Sequence, residues 1–329
     1  MFVRRRSFPK SITLDISGSC NLDCVMCSLK DNYKTAFMSR QTFENVLPYL
    51  SRVEYVDMNC NAEPLMNKDI WSFISDIKKN APNTRIGFPT NGSLLTNNSR
   101  RRLVEERIDL IRFSVDGSTE ETFNSIRKNA DFDKVISNIK SLQDIKQELG
   151  SDKPQIVIVF VAMKQNIKEL SSLIRLAVNL EVKHVSVLGL EPYSEDMVDR
   201  ILYSESQTYK KYFEEAKKLA LQNKVELQLP NLSASQNPRC MFKDNLYVTA
   251  DGSVCPCPLL TYDRSFYYFG KKMKHEKLSF GNINNKSLEE IWNSGPYRRF
   301  RKNLHKKKFF GNCEGCLMNK GFLVSFDSI

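Results

Sequence analysis

"SITLDISGSCNLDCVMC", residues 11–27, sets a short β-rich run against a loop that carries three cysteines. "SITLDI" (11–16) reads as a strand, and Cys20, Cys24 and Cys27 follow it, spaced C-x3-C-x2-C. Three readings are open here: a disulfide knot, three of four ligands to zinc, or three ligands to something that wants only three. A structural zinc site is closed by four ligands, so a fourth would have to come from afar, for instance from Cys60. A [4Fe–4S] cluster has four irons, and three thiolates leave one iron open to a substrate or cofactor.

The strand-then-loop pattern repeats along the chain. Further strands are expected at "VEYVDMN" (53–59), "RIGFPT" (85–90), "DLIRFSV" (109–115), "QIVIVFVA" (155–162) and "HVSVLGL" (184–190). Between and after them, amphipathic segments at 39–50, 67–80, 97–107, 132–150, 167–180 and 207–223 read as helices. In the fourth of these, Phe132, Val135, Ile136, Ile139, Leu142 and Ile145 recur at helical spacing. Six βα units in sequence imply an α/β fold, a parallel sheet covered by helices. A partial (β/α)6 TIM-like barrel and a doubly wound open sheet both fit this count. In a barrel, reactive residues belong at the C-terminal ends of the strands.

The 329 residues suffice for two average domains, or for one barrel with an appendix. With 41% hydrophobic and 26% charged residues, a core can form without cross-links. No apolar run is long enough to span a membrane. The basic start "MFVRRRSFPK" lacks the apolar region of a signal peptide, and Asp15 interrupts the one candidate, so a cytoplasmic location is expected. In a reducing compartment the clustering of eight of the nine cysteines, all but Cys60, points to metal or redox ligation rather than to disulfides. Much of the net charge of +11 lies in "YRRFRKNLHKKKFF" (297–310), which is expected to be a solvated helix face. A nucleic-acid contact is the sharper alternative, and no aromatic RNA-binding signature accompanies it.

Beyond residue 230 the character changes. "NLYVTADGSVCPCP" reads as a hairpin turning at Asp251–Gly252, and Ser287 with Glu290 forms a capping-box pattern before a short helix. Five cysteines and little apolar sequence suggest a small unit held by metal. The expected division is therefore 1–230 and 231–329.

The spacing of Cys20, Cys24 and Cys27, with Met26 in the apolar position, resembles the C-x3-C-x-φ-C loop of the radical S-adenosylmethionine (SAM) enzymes. Other stretches agree in order: "NAEPL" (61–65), similar to the family's Gly-Gly-Glu-Pro; "TNGSLL" (90–95); "FSVDGSTEETFNSIRKNADFDKVISNIKSL" (113–142); and "VAMKQNIKELSSL" (161–173). Asn61 and Ala62 depart from the glycines, while Glu63 and Pro64 match. The resemblance implies the partial barrel, with one [4Fe–4S] cluster on the three cysteines and SAM chelated to the open iron. One electron would cleave SAM to a 5′-deoxyadenosyl radical that abstracts hydrogen from a substrate. It also implies SAM-binding roles: Met26 in the cluster loop, Glu63 toward the amino group, Ser114 and Asp116 near the ribose or substrate, and Asn91 in the same cavity. "SVLGL" (186–190) would lie near adenine.

The C-terminal text, "YVTADGSVCPC" through "CEGC", resembles the SPASM/twitch domain, which holds an auxiliary iron–sulfur cluster. By that resemblance Cys240, Cys257, Cys313 and Cys316 are its ligands, with Cys255 as the alternative to Cys257. No further cysteines follow Cys316, so one auxiliary cluster, of [4Fe–4S] type, is expected; zinc on the same four thiols is the competing reading. Cys60 and Cys255 are left over as weak candidates for a hydrogen donor.

The expected activity is oxidation or epimerisation of a small molecule such as a sugar or aminocyclitol, with a flavodoxin- or ferredoxin-type electron donor. A peptide or protein maturase is the alternative, although only about ten residues precede the first strand and leave no room for a peptide-binding domain there. A zinc-stabilised nucleic-acid-binding protein is the third reading.

Overall fold

The computed structural model describes residues 8–28, 36–58, 61–309 and 311–322; Cys60 lies outside the described residues. In chain order its strands begin with β1 (Ser11–Leu14), β2 (Asp23–Cys24), β3 (Tyr55–Met58), β4 (Arg85–Thr90), β5 (Leu110–Ser114), β6 (Arg127–Lys128) and β7 (Gln155–Ala162). They continue with β8 (His184–Gly189), β9 (Glu226–Gln228), β10 (Asn245–Val248), β11 (Val254–Cys255), β12 (Arg264–Tyr268) and β13 (Lys271–His275). The helices are α1 (Arg40–Val46), α2 (Ile70–Asn80), α3 (Asn97–Glu105), α4 (Glu120–Ile126) and α5 (Phe132–Glu148). After them come α6 (Leu170–Asn179), α7 (Ser206–Gln222), α8 (Leu288–Asn293) and α9 (Gly295–His305).

Among the described residues, nine strands form one sheet in the order β11-β10-β1-β3-β4-β5-β7-β8-β9. All neighbours are parallel except β10 and β11. The six expected strands lie side by side in sequence order, as right-handed βα crossovers require. This is the partial barrel, and it excludes the doubly wound alternative, whose strand order would reverse part-way. Three features go beyond the expectation. β9 adds a seventh strand after α7. β10, in the C-terminal segment, joins the same sheet and pairs with β1 along its whole length, Ser11 with Asn245 through Leu14 with Val248. A hairpin, β12–β13, also stands where none was expected.

Local chemistry fixes the helix starts. Ser39, Thr119 and Asp131 each accept a backbone N–H in the first turn of α1, α4 and α5. Thr96 with Ser99, and Ser287 with Glu290, make reciprocal caps on α3 and α8. The helices bury one face against the sheet; Ile70, Phe73, Ile74 and Ile77 of α2 are each at most 2% exposed. The helix expected over 39–50 ends at Val46 and continues as a 3-10 turn from Leu47 to Arg52, because Pro48 cannot donate the next helical bond.

Inside the sheet's concave face, Arg112 is 2% exposed. Its guanidinium grips both oxygens of Asp57 at 2.6 and 2.8 Å and donates to the Tyr55 hydroxyl at 2.9 Å. Gly87 makes this possible: a Cβ there would stand 2.4 Å from the Tyr55 hydroxyl oxygen and 2.7 Å from the Leu110 carbonyl. Removing Asp57 takes from the Arg112 guanidinium the carboxylate that meets it through two contacts, and losing a partner from a buried pair is costly. Asp57→Ala should therefore lower the unfolding free energy by about 3 kcal/mol in urea titration; a change within error would mean that solvent already compensates Arg112.

Candidate functional site

The loop after β1 places its three cysteines at the C-terminal end of the sheet. Cys24 is held in β2, which pairs with β6: Asp23 opposes Lys128 and Cys24 opposes Arg127. The Arg127 guanidinium donates to the Cys24 sulfur at 3.8 Å, and its Nε lies 2.7 Å from Asp116 Oδ2. Asp116, fully buried, also accepts the Val161 backbone N–H at 2.6 Å. Burial pushes the Cys24 thiol up to about 11, and the Arg127 cation works against that rise. Arg127 went unnoticed in the sequence, where it reads as one more charge after a helix; its signal was a cation within the same stretch as Asp116.

Cys20 takes part in a second network. The Asn91 amide donates to its sulfur at 3.7 Å and to Asn21 Oδ1 at 2.9 Å, while Asn91 Oδ1 accepts from the Ser93 backbone and hydroxyl. Glu63 holds this turn. Its carboxylate accepts the Asn91 backbone N–H at 2.7 Å, the Thr90 hydroxyl at 2.9 Å and the Leu65 N–H at 3.3 Å. Gly92 follows at φ +77°, a conformation that favours glycine. Glu63, Asn91 and Asp116 thus spend their side chains on bracing the loops around the cysteines. Ser114 closes β5, half-buried, two residues before Asp116. Met26 is buried and faces the central cavity.

That cavity, about 410 Å³, lies within the curve of the sheet. Thr13, Asp57, Leu110, Val161 and Leu188 form its strand side, Met26 and Glu191 its upper rim, and Leu259, Arg264 and Met318 of the C-terminal segment its outer wall. The residues "SVLGL" run along β8 into this wall, Leu188, Gly189 and Leu190 lining it.

Cys240, Cys257, Cys313 and Cys316 line one small separate cavity, together with Leu259, His275 and Met318. Burial pushes the Cys240, Cys313 and Cys316 thiols up to about 12, and Cys257 rises well above its ordinary value for the same reason, with the neighbouring cysteines adding to the rise. Thiols so placed are held as thiolates only by a cationic centre among them. Cys255 is fully buried in β11 opposite Tyr247 and does not line that cavity. Among the described residues, no three Cys, His, Asp or Glu side chains converge closely enough for a single metal ion. The two sets are neighbours in the fold: Leu22, Cys24 and Met26 share a hydrophobic cluster with Leu317 and Phe322.

Burial raises the Glu63 carboxyl to about 7, against the pull of its three donors. A folded-state value above the unfolded 4.5 favours the protonated native form. Its contribution to stability is full below that unfolded value and is lost as pH rises through 7. The apoprotein should lose up to about 3 kcal/mol from this group between pH 5 and 8, and Glu63→Gln should flatten that slope in urea titrations. An unchanged slope would place the ionised carboxylate in a better-solvated setting.

Comparison with known proteins accords with this arrangement. The model of the radical SAM superfamily matches residues 14–177, and that of the SPASM iron-sulfur cluster-binding domain matches 240–317. The tungsten-containing aldehyde ferredoxin oxidoreductase cofactor-modifying protein of Pyrococcus furiosus is 30% identical over 321 residues, 93% of this chain and 87% of that protein. Among solved structures, anSMEcpe with bound AdoMet shares 17% identity at a TM-score of 0.68, covering 95% of this chain and 93% of that one. Streptococcus suis SuiB bound to the precursor peptide SuiA shares 15% identity at a TM-score of 0.66, covering 95% and 71%. At these identities the two structures show the fold alone. No helix among the described residues is long and apolar enough to cross a membrane. Neither a zinc-held nucleic-acid binder nor a disulfide knot accounts for these matches. The chain belongs to the radical SAM superfamily and carries a C-terminal SPASM domain, so its cofactors are SAM and iron–sulfur clusters.

Proposed function

We propose that the chain is a radical SAM enzyme that oxidises or epimerises a small polar molecule inside the central chamber. The observation that carries this reading is the chamber itself: about 410 Å³, walled on one side by Met26 of the three-cysteine loop and on the other by Leu259 and Met318 beside the four-cysteine cavity. That volume suits a small ligand. The 30% identity to a protein named for modifying a cofactor supports a small organic substrate, of which a cofactor is one kind. Peptide modification remains an outcome of the test.

Cys20, Cys24 and Cys27 would hold one [4Fe–4S] cluster and leave an iron for SAM. Cys240, Cys257, Cys313 and Cys316 would hold the other, closed by four thiolates. Bound in this way, SAM and its cluster would supply the radical chemistry of the family. The chain's own residues orient and shield. Arg127 sets a positive charge against Cys24, Asp116 fixes Arg127, and Glu63 and Asn91 hold the turn that meets Cys20. Ser114 and Met26 would complete the SAM pocket, and Leu110, Val161 and Leu188 would help to keep water from the reacting carbon. The metal-binding segment would begin after β9, at about residue 231, and a flavodoxin- or ferredoxin-type protein in the cytoplasm would supply electrons.

Anaerobic reconstitution should give eight irons per chain. Cys257→Ala should fall to about four, while Cys255→Ala should keep eight; equal loss in both would return Cys255 to the ligand set. Reduced holoenzyme should cleave SAM to methionine and 5′-deoxyadenosine. With a sugar alcohol or an aminocyclitol as substrate, a product lighter by two hydrogens reports oxidation. Unchanged composition with one solvent deuterium reports epimerisation. A cross-linked peptide as the sole product would sink the small-molecule reading.

A further inference from the structure

We propose that Arg264 and Glu191 form an oxyanion-binding subsite in the chamber wall, which takes a carboxylate or phosphate group of the substrate. The proposal rests on the chamber being the substrate site. Arg264 opens β12, and the hydrogen bond from Tyr267 N to Pro192 O docks that strand against the segment after β8. Arg264 is 7% and Glu191 5% exposed, and both face the chamber.

Arg264 uses one nitrogen, Nη1, on the Tyr262 hydroxyl at 3.3 Å. Its Nε and Nη2 are buried and make no hydrogen bond among the described residues. Those two N–H groups share one edge of the planar guanidinium, the edge that meets a carboxylate or phosphate through two parallel bonds. The rings of Tyr193 and Tyr262 flank the guanidinium at 5.3 and 5.2 Å and hold its plane. Glu191 accepts the Tyr193 hydroxyl with Oε2 at 2.6 Å, while Oε1 is buried without a hydrogen-bond partner.

A guanidinium edge and a carboxylate oxygen, both buried, both unmatched and both lining the same chamber, are costly unless a ligand completes them. The ligand that does so carries an anionic group for the fork and a hydroxyl or amine donor beside it for Glu191 Oε1. The position has a chemical sense. On one side, Tyr262 hydrogen-bonds Ser28, next to Cys27, at 3.0 Å. On the other, Arg264 is the register partner of His275, which lines the four-cysteine cavity. An anion held here keeps the rest of the substrate between the two cysteine sets.

The test titrates reconstituted, SAM-loaded holoenzyme with two probes, ribose 5-phosphate and gluconate, by anaerobic calorimetry. At least one should bind wild type, and which one binds separates phosphate from carboxylate. Arg264→Lys keeps the charge and loses the fork; it and Arg264→Gln should each weaken that probe about tenfold or more, and Glu191→Gln should weaken it less. A merely structural arginine would lower the melting temperature without moving probe affinity. Should the variants not fold, hydrogen exchange on wild type decides: the probe should slow exchange at 189–193 and 262–268. Binding of neither probe at millimolar concentration, equal affinity in folded variants, or no protection of those segments overturns the proposal. Weakened SAM binding with unchanged probe binding would assign the fork to SAM and also overturn it. If wild type does not cleave SAM, the chamber reading fails; if it cleaves SAM but ignores both probes, the subsite alone fails.

Discussion

The buried ion pair between Asp116 and Arg127 is the contact on which the rest of the site depends. Asp116 sits just past β5, and its other oxygen takes the Val161 N–H of β7. Asn166 donates to the carbonyls of both Asp116 and Val161. Arg127 carries the constraint outward, because its own strand β6 pairs with β2 and its guanidinium reaches Cys24. One pair therefore fixes two strand ends, a short ribbon and a cysteine. Such a pair contributes little net stability over a well-packed apolar substitute, but losing one partner costs about 3–5 kcal/mol. Its geometric effect is to tie the cysteine loop to the ends of β5 and β7.

The two cysteine sets differ in what surrounds them. Around Cys20 and Cys24, amide and guanidinium donors point at sulfur. Donors of that kind lower the cost of negative charge and tune a metal centre. The wall of the second set is largely apolar, with Phe242, Leu259, Leu260, Phe300, Leu304 and Met318, so the charge there depends on the metal itself. With the ligands proposed, the first site is open and polar, and the second is closed and dry.

Much of this was legible in the sequence because the βα rhythm is local. β4 and β7 begin and end where "RIGFPT" and "QIVIVFVA" do, since short β-rich runs bounded by turn residues leave few alternatives. The three-cysteine loop was legible for the same reason. Other features are not local. The pairing of β10 with β1 joins residues more than two hundred apart, and no periodicity announces it. The β12–β13 hairpin turns at Phe269 and Gly270, both with positive φ, and phenylalanine is not a residue that signals such a turn. Cys255 and Cys257 are two apart, so a continuing strand would have set them on one face. The chain leaves β11 at Cys255 and enters a 3-10 turn at Pro258, which separates them. Arg264 and Glu191 were invisible because their meaning lies in unmatched atoms, which only packing reveals.

A partial barrel also has a topological problem that its C-terminal segment solves. Without closure, β1 would present a row of unpaired backbone groups, and the concave face would open sideways to water. β10 and β11 cover that edge, while Leu259, Arg264 and Met318 wall the opening. Cys257 and Cys316 lie within two residues of those wall residues. If the four thiols bind a cluster as proposed, ligation ties the hairpin, α9 and the "CEGC" turn together at the place where the wall must stand. Cluster binding and chamber closure are then one folding event. A substrate radical formed inside would be shielded from water only in protein whose second cluster is in place.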